Sequence, residues 1–179
     1  MVHEAFSWEH GVLVGAMMKV ETTAAADGLV GRLREDPMAM IPFCGYNMGD
    51  YLHHWLSFSR KSKNLPRIFQ VNWFRRGKDG GFLWPGYGEN LRVLKWIVGR
   101  VNGEAEAVET PIGYVPAPES LDLNGLDLPQ GAIEELLHVD REGWLKEVRS
   151  SEDFFKTFGD RFPKALRREY RNLIARLQS

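Results

Sequence analysis

Apolar residues in this chain come in short bursts whose spacing changes character several times. Val71-Asn72-Trp73-Phe74 alternates like a strand with two unlike faces, and Phe82-Leu83-Trp84 repeats the habit after Gly77-Lys78-Asp79-Gly80-Gly81. A glycine-rich, aspartate-containing link between two β-prone runs predicts a hairpin, because such residues accept the positive φ of a tight return. Pro85 ends the second strand, having no N–H to give to a ladder. Gly86-Tyr87-Gly88 permits an unusual path, and Glu89-Asn90 opens a helix that runs to Val101. Leu91, Val93, Leu94, Trp96, Ile97 and Val101 give that helix a wide apolar face, with Arg92, Lys95 and Arg100 mostly opposite. At such a start Asn90 is also an ordinary capping residue.

Elsewhere the pattern is more mixed. Segment 11–18, a β-branched run with small residues, suits a buried strand or strand end, and its periodicity leaves helix open. Asp36-Pro37-Met38-Ala39-Met40 reads as a turn into a buried segment, and a helix follows from Met48 or Gly49. In it Tyr51, Leu52, Trp55, Leu56 and Ser59 make the stripe of a helix packed on a sheet. Arg60, Lys61 and Lys63 stand at its carboxyl end, where cations suit the dipole. No side chain from Thr22 to Ala26 is large enough to anchor a core, so the Ala run capped by Thr and stopped by Gly28 reads as a marginal helix. Segment 104–126 is rich in Pro and Gly and extended. Beyond it the chain predicts helices at 133–139, at 141–158 with Trp144, Val148, Phe154 and Phe155 inward, and at 163–177. In the last, Leu166, Tyr170, Leu173, Ile174 and Leu177 recur at three- and four-residue steps, with Pro163 at a permitted first-turn position.

Composition narrows the function classes. A chain of 179 residues, 44% hydrophobic, can bury a core and predicts one domain. A net charge of −1 and a pI of about 6.5 give no electrostatic pull toward nucleic acid or an anionic membrane. Trp73, Phe74, Arg75, Arg76 and Lys78 on a hairpin have the makings of a single-strand reader, and the near-zero charge counts against it. Arg167, Arg168, Arg171 and Arg176 read as a solvated helix face rather than a phosphate site. The lone Cys44, in Pro42-Phe43-Cys44-Gly45-Tyr46, excludes an internal disulfide, fits a reducing cytosol and reads as structural rather than nucleophilic. No apolar run approaches the ~18 residues of a membrane span. The first residues lack the pattern of a signal peptide. His3 and His10 have no ligand spacing with other donors, and the adjacent His53 and His54 point about 100° apart on a helix, which suits a surface better than a shared metal.

The hairpin-to-helix corner brings Phe74, Phe82 and Tyr87 to one side with the Asn90 amide nearby. Aromatic faces beside a group that both donates and accepts suit a flat heterocycle such as a purine. Stacking a base on a ring is worth roughly 1–3 kcal/mol. The residues alone equally admit three core aromatics.

Phe74 with Phe82-Leu83-Trp84-Pro85-Gly86-Tyr87-Gly88-Glu89-Asn90, preceded by Ile68-Phe69-Gln70-Val71-Asn72-Trp73, resembles the guanine-binding segment of GTP-dependent phosphoenolpyruvate carboxykinase. The resemblance runs from about Glu4 to Leu126 and weakens over the remaining residues. It implies an α/β fold: a partial mixed sheet with flanking helices, the carboxyl-terminal part of that family's nucleotide-binding domain, helical at its end. Segment 1–179 would be a single truncated domain, sheet-containing over 1–130 and helical over 131–179, whose amino-terminal portion is missing. It assigns guanine contact to Phe74, Phe82, Tyr87, Gly88, Glu89 and Asn90, with Tyr87 in place of the more usual Phe. Thr22, Thr23, Ala24, Ala25, Ala26, Asp27 and Gly28, within about 22–31, resemble the family's mobile lid, for which a weakly anchored segment is apt.

The reaction this implies turns oxaloacetate and GTP into phosphoenolpyruvate, carbon dioxide and GDP, a decarboxylating lyase step of gluconeogenesis in the cytoplasm. It uses Mn2+ or Mg2+ in the full-length enzyme. The chain contains no G-x-x-x-x-G-K-[ST] loop, and the family's metal site and reactive Cys loop lie upstream. The resemblance therefore predicts no catalytic or metal residue here, an inert isolated chain, and two partners: guanine nucleotide (GTP or GDP) and the absent amino-terminal portion. Uncovered edges predict self-association. The alternative is a free-standing purine-nucleotide module or one subunit of a split enzyme.

Overall fold

Ser7 settles the character of the run that follows it. Its backbone is extended, and its hydroxyl accepts the His10 N–H at 3.1 Å, so the chain enters a helix instead of a strand. The computed structural model describes residues 1–21 and 33–179. In chain order the elements are β1 (Val2–Glu4), α1 (Trp8–Ala16), β2 (Lys19–Glu21), β3 (Leu33–Glu35), α2 (Met48–Lys61), β4 (Phe69–Val71) and α3 (Asn90–Asn102). They continue with β5 (Ala107–Thr110), β6 (Gly113–Pro116), α4 (Ala132–Leu137), α5 (Arg141–Ser150), α6 (Glu152–Lys156) and α7 (Lys164–Gln178). The expected α/β class with a helical carboxyl end is what the chain adopts, and every ladder among the described residues is antiparallel.

The chain forms two compact units that interleave along the sequence. The first, residues 1–6 and 67–140, holds a four-stranded sheet in the order β4-β1-β6-β5. Trp84, Val93, Trp96, Leu121 and Leu136 pack with Val2 into its core. The buried Glu4 carboxylate ties β1 to its neighbours, taking hydrogen bonds from Arg67 at 2.9 Å and Arg100 at 2.8 Å. Within the extended segment, β5 and β6 form a hairpin. The Thr110 hydroxyl donates to the Gly113 carbonyl at 2.7 Å, and Gly113 takes φ 135°, where a Cβ would run into the Glu4 carbonyl oxygen.

The second unit, residues 7–66 and 141–179, is mostly helical and also holds the two-stranded β2–β3 ladder. Here α1 lies against α2 and α7, and α7 against α5. Helix α2 starts at Met48, capped by Asn47, which accepts the Gly49 N–H at 2.8 Å. It packs on a helix, not on a sheet as its stripe predicts, and only Met48, Gly49 and Leu52 are buried. The Trp8 indole fixes that pairing by donating to the Trp55 carbonyl at 2.9 Å. The segment after Asp36-Pro37 is also not the buried run expected: Ile41 and Phe43, on a short 3-10 turn, and Tyr46 beyond it are exposed. The helix predicted over 141–158 is broken between α5 and α6. At the break the Ser151 hydroxyl, buried, points at the Glu35 carboxylate 3.3 Å away. In α7 the expected Leu166, Tyr170, Leu173 and Leu177 are buried, while Pro163 sits just outside as the flanking residue.

Candidate functional site

The hairpin predicted at 71–84 is looser than its pattern suggests. Strand β4 ends at Val71, and a single bridge joins Arg76 to Phe82. Two backbone bonds still close the return, from Gly77 N–H to the Gly81 carbonyl and from Leu83 N–H to the Arg75 carbonyl, both 2.9 Å. Gly80, at φ 81°, supplies the turn. Asn72 adds a local brace, its side-chain oxygen accepting the Phe74 N–H at 2.9 Å.

This frame leaves the three sequence-predicted rings in water. Phe74 is 73% exposed, Phe82 54% and Tyr87 92%, so they are not core aromatics. The structure brings two of them together: the Phe74 and Phe82 centroids lie 6.2 Å apart at 62°, an edge-on pair with open faces. Arg76 covers one side of Phe82, its guanidinium carbon 4.2 Å from the centroid, while donating to the Gly80 carbonyl at 2.7 Å. Tyr87 stands on a one-turn 3-10 segment ahead of α3, and among the described residues no ring pair joins it to either phenylalanine.

Asn90 does not cap α3. It is already the first helical residue, and its side-chain oxygen accepts the indole N–H of buried Trp84 at 2.9 Å. That bond turns the amide so that its NH2 is left to donate. Trp84 is a partner of Asn90 that periodicity misses, since nothing in a strand or helix pattern links positions six apart across a Pro-Gly corner.

Glycines 86 and 88 play different parts. Gly86 holds φ 117°, a conformation side-chain-bearing residues avoid, so the fold itself requires it. Gly88 has ordinary φ and open space where a Cβ would stand, so nothing in the fold demands glycine there. Glu89 is held by Arg92 at 2.6 Å. Beside these two lies an open cavity of about 430 Å³, bounded by the outer side of α3 and the turn at Asp122 and Asn124. It includes Gly88 and Glu89 but none of the three rings and not Asn90. Lys95 and Arg92 face Asp122 at 3.0 and 3.7 Å. The Lys95 hydrogen bond, then the Asn124 N–H, hold the Asp122 carboxyl below its usual range. With two cations against two carboxylates, this cavity has no surplus charge for a phosphate.

The two hairpin arginines are also engaged within the chain. Arg75 donates to the Leu136 and His138 carbonyls at 3.1 and 2.9 Å, which removes it from the nucleic-acid reading. Among the described residues no group of three or more His, Cys, Asp or Glu is placed to hold a metal, and no helix is long and apolar enough to cross a membrane. The expected lid, Thr22 to Gly28 within 22–31, lies outside the described residues.

The model of the family described as the phosphoenolpyruvate carboxykinase C-terminal P-loop domain matches residues 1–176. Among curated proteins, a phosphoenolpyruvate carboxykinase (GTP) from Arthrobacter sp. strain FB24 is 54% identical over 179 residues, 99% of this chain and 29% of its own length. The proteins of that name from Chlamydia caviae and the fungus Neocallimastix frontalis are each 54% identical, over 93% and 100% of this chain and 28% and 30% of theirs. The chain thus spans under a third of the length of the relatives it matches.

Proposed function

The chain belongs to the phosphoenolpyruvate carboxykinase (GTP) family, and from that premise we propose that it supplies the guanine-holding surface and the lid of an enzyme making phosphoenolpyruvate from oxaloacetate and GTP in the cytoplasm. The observation that carries this reading is the exposure of Phe74, Phe82 and Tyr87, with a Gly88 beside Tyr87 in the chain that the fold does not require. Leaving such rings in water costs solubility and gains nothing in folding, whereas a base laid on them recovers roughly 1–3 kcal/mol per face. The Asn90 NH2, oriented by Trp84, would give a hydrogen bond to guanine, which offers only acceptors at O6 and N7, where adenine offers a donor at N6. Open space at Gly88 lets a base approach the backbone.

On this reading the isolated chain is inert. Phosphoryl transfer depends on positioning and on neutralising charge. A divalent metal, as in the full-length enzyme, would supply part of that, but among the described residues no cluster of side chains fits one. The remaining machinery belongs to the missing amino-terminal portion. Two or three stacked faces, less the cost of association, leave about millimolar affinity. Apolar residues uncovered on α3 support self-association of this piece. The second reading, a free-standing purine module or one subunit of a split enzyme, uses the same surface with its partner supplied in trans.

Calorimetry on the purified chain tests the proposal. Phe74→Ala should weaken guanine-nucleotide binding by at least about fivefold, as loss of one stacked face predicts. The Phe74-dependent part should be equal for GTP and GDP. Trp84→Phe, which keeps a ring but removes the N–H, should narrow the preference for guanosine over adenosine. Unchanged binding in Phe74→Ala, or metal-dependent turnover by the 179-residue chain, would overturn it.

A further inference from the structure

Helix α7 begins in a way that disfavours its own stability. Lys164, Arg167, Arg168 and Arg171 are spaced at i, i+3, i+4 and i+7, one face of two helical turns, and all four are exposed. Like charges at these steps repel. They also crowd the amino-terminal end, where the dipole is positive and carboxylates are normally found. No acidic residue occupies the first turn and no side chain caps it. Among the described residues none of the four has a carboxylate partner, whereas Arg176, further along, is paired with Glu169 at 2.9 Å and Arg161 with Asp50 at 2.6 Å.

The same four cations line a concave site. A cavity of about 780 Å³ opens beside them, with Phe162 as its wall and Asn172 at its far end. Asp160 is its one acid, so the lining carries a surplus of three positive charges in a chain whose net charge is −1. Phe162 is held in place by stacking on Phe155, centroids 4.6 Å apart at 19°, and Arg167 leans over its ring at 5.7 Å. Arginine forks on a preset wall suit phosphate oxygens. The solvated-face reading of these arginines holds for Arg176 only in part, since that residue is half-buried and paired.

We propose that this cavity binds a soluble anion bearing several phosphates. Lys164 to Arg171 spans about 10 Å of helix axis, too long for a single phosphate to engage every cation. The required negative charge comes from the ligand instead of from the chain. The site is independent of the guanine surface, which lies in the other unit.

The test is titration of the full chain with sodium tripolyphosphate at matched ionic strength. One site per chain is expected, weakening steeply as salt rises. The variant R167Q/R168Q/R171Q should lose at least about tenfold in affinity and, without ligand, melt no lower than the parent because repulsion is relieved. R171E alone should also weaken binding, which covers the case in which the triple variant folds poorly by circular dichroism. Phe74→Ala should bind tripolyphosphate unchanged, so failure here is distinguishable from failure of the guanine reading. Heat no greater than that from matched chloride, equal binding by the triple variant, or binding confined to vesicles carrying phosphatidylinositol bisphosphate headgroups would each overturn the proposal.

Discussion

His10 sits in α1 with 1% of its surface exposed, and burial, with the Arg176 guanidinium adding to it, lowers its pKa from 6.5 to about 4. As pH falls, the unfolded chain takes up this proton first. The contribution of the neutral ring is therefore complete above about pH 6.5 and is lost on the way down to about 4, by roughly 2 kcal/mol at pH 5. Urea midpoints at pH 7.5 and pH 5 should show His10→Gln losing less stability over that interval than the parent. Equal losses would show that carboxylates alone set the acid limit. The sequence, with no donor at ligand spacing, leaves His10 either structural or at the surface, and its burial decides for the former. It does not reveal what holds the Asn90 amide, since the Trp84 indole that engages it arrives through a backbone path that only Gly86 permits.

At the scale of elements, the β5–β6 hairpin depends on one residue. Gly113→Ala would add a Cβ against the Glu4 carbonyl and force an unfavourable φ at once, so a loss of about 2–4 kcal/mol is expected. Its measurement is the urea midpoint, and a change below about 1 kcal/mol would mean that β1 can shift away. Helix α3 corrects its own pattern. Only Val93 and Trp96 of the predicted wide face are buried, while Leu91, Leu94 and Val101 are exposed together with Val98. The reason is geometric: a helix laid on a small sheet contacts it along one narrow line, held here by the Trp96 indole on the Glu106 carbonyl at 3.0 Å. Periodicity locates apolar positions but does not count the neighbours available to cover them. Helix α7 was legible because its apolar steps are strict and helices meet it on its inner side.

For the whole molecule, that outer line of α3 matters most. Leu91, Leu94, Val98 and Val101 recur at three and four residues, a continuous apolar stripe in water. In a chain spanning under a third of its relatives' length, we expect such a stripe to drive self-association at high concentration. Light scattering should report species larger than a monomer, and Leu94→Glu with Val98→Glu should restore the monomer. A parent chain that stays monomeric throughout would locate the stripe's role elsewhere.

The amino-acid order by itself determined the family, the α/β class and the helical carboxyl end. These follow from local matters: turn residues, caps, and ring types at fixed offsets. Tertiary structure decided what local rules leave open. It enclosed segment 8–16 between α2 and α7, put Phe74, Phe82 and Tyr87 in solvent instead of a core, and left one side of α3 bare. It also fixed Phe162, stacked on Phe155, beside the face of α7 on which helical spacing sets four cations. Burial depends on which distant segments come to cover a residue, and that information is held in the packing of the chain, not in its spacing.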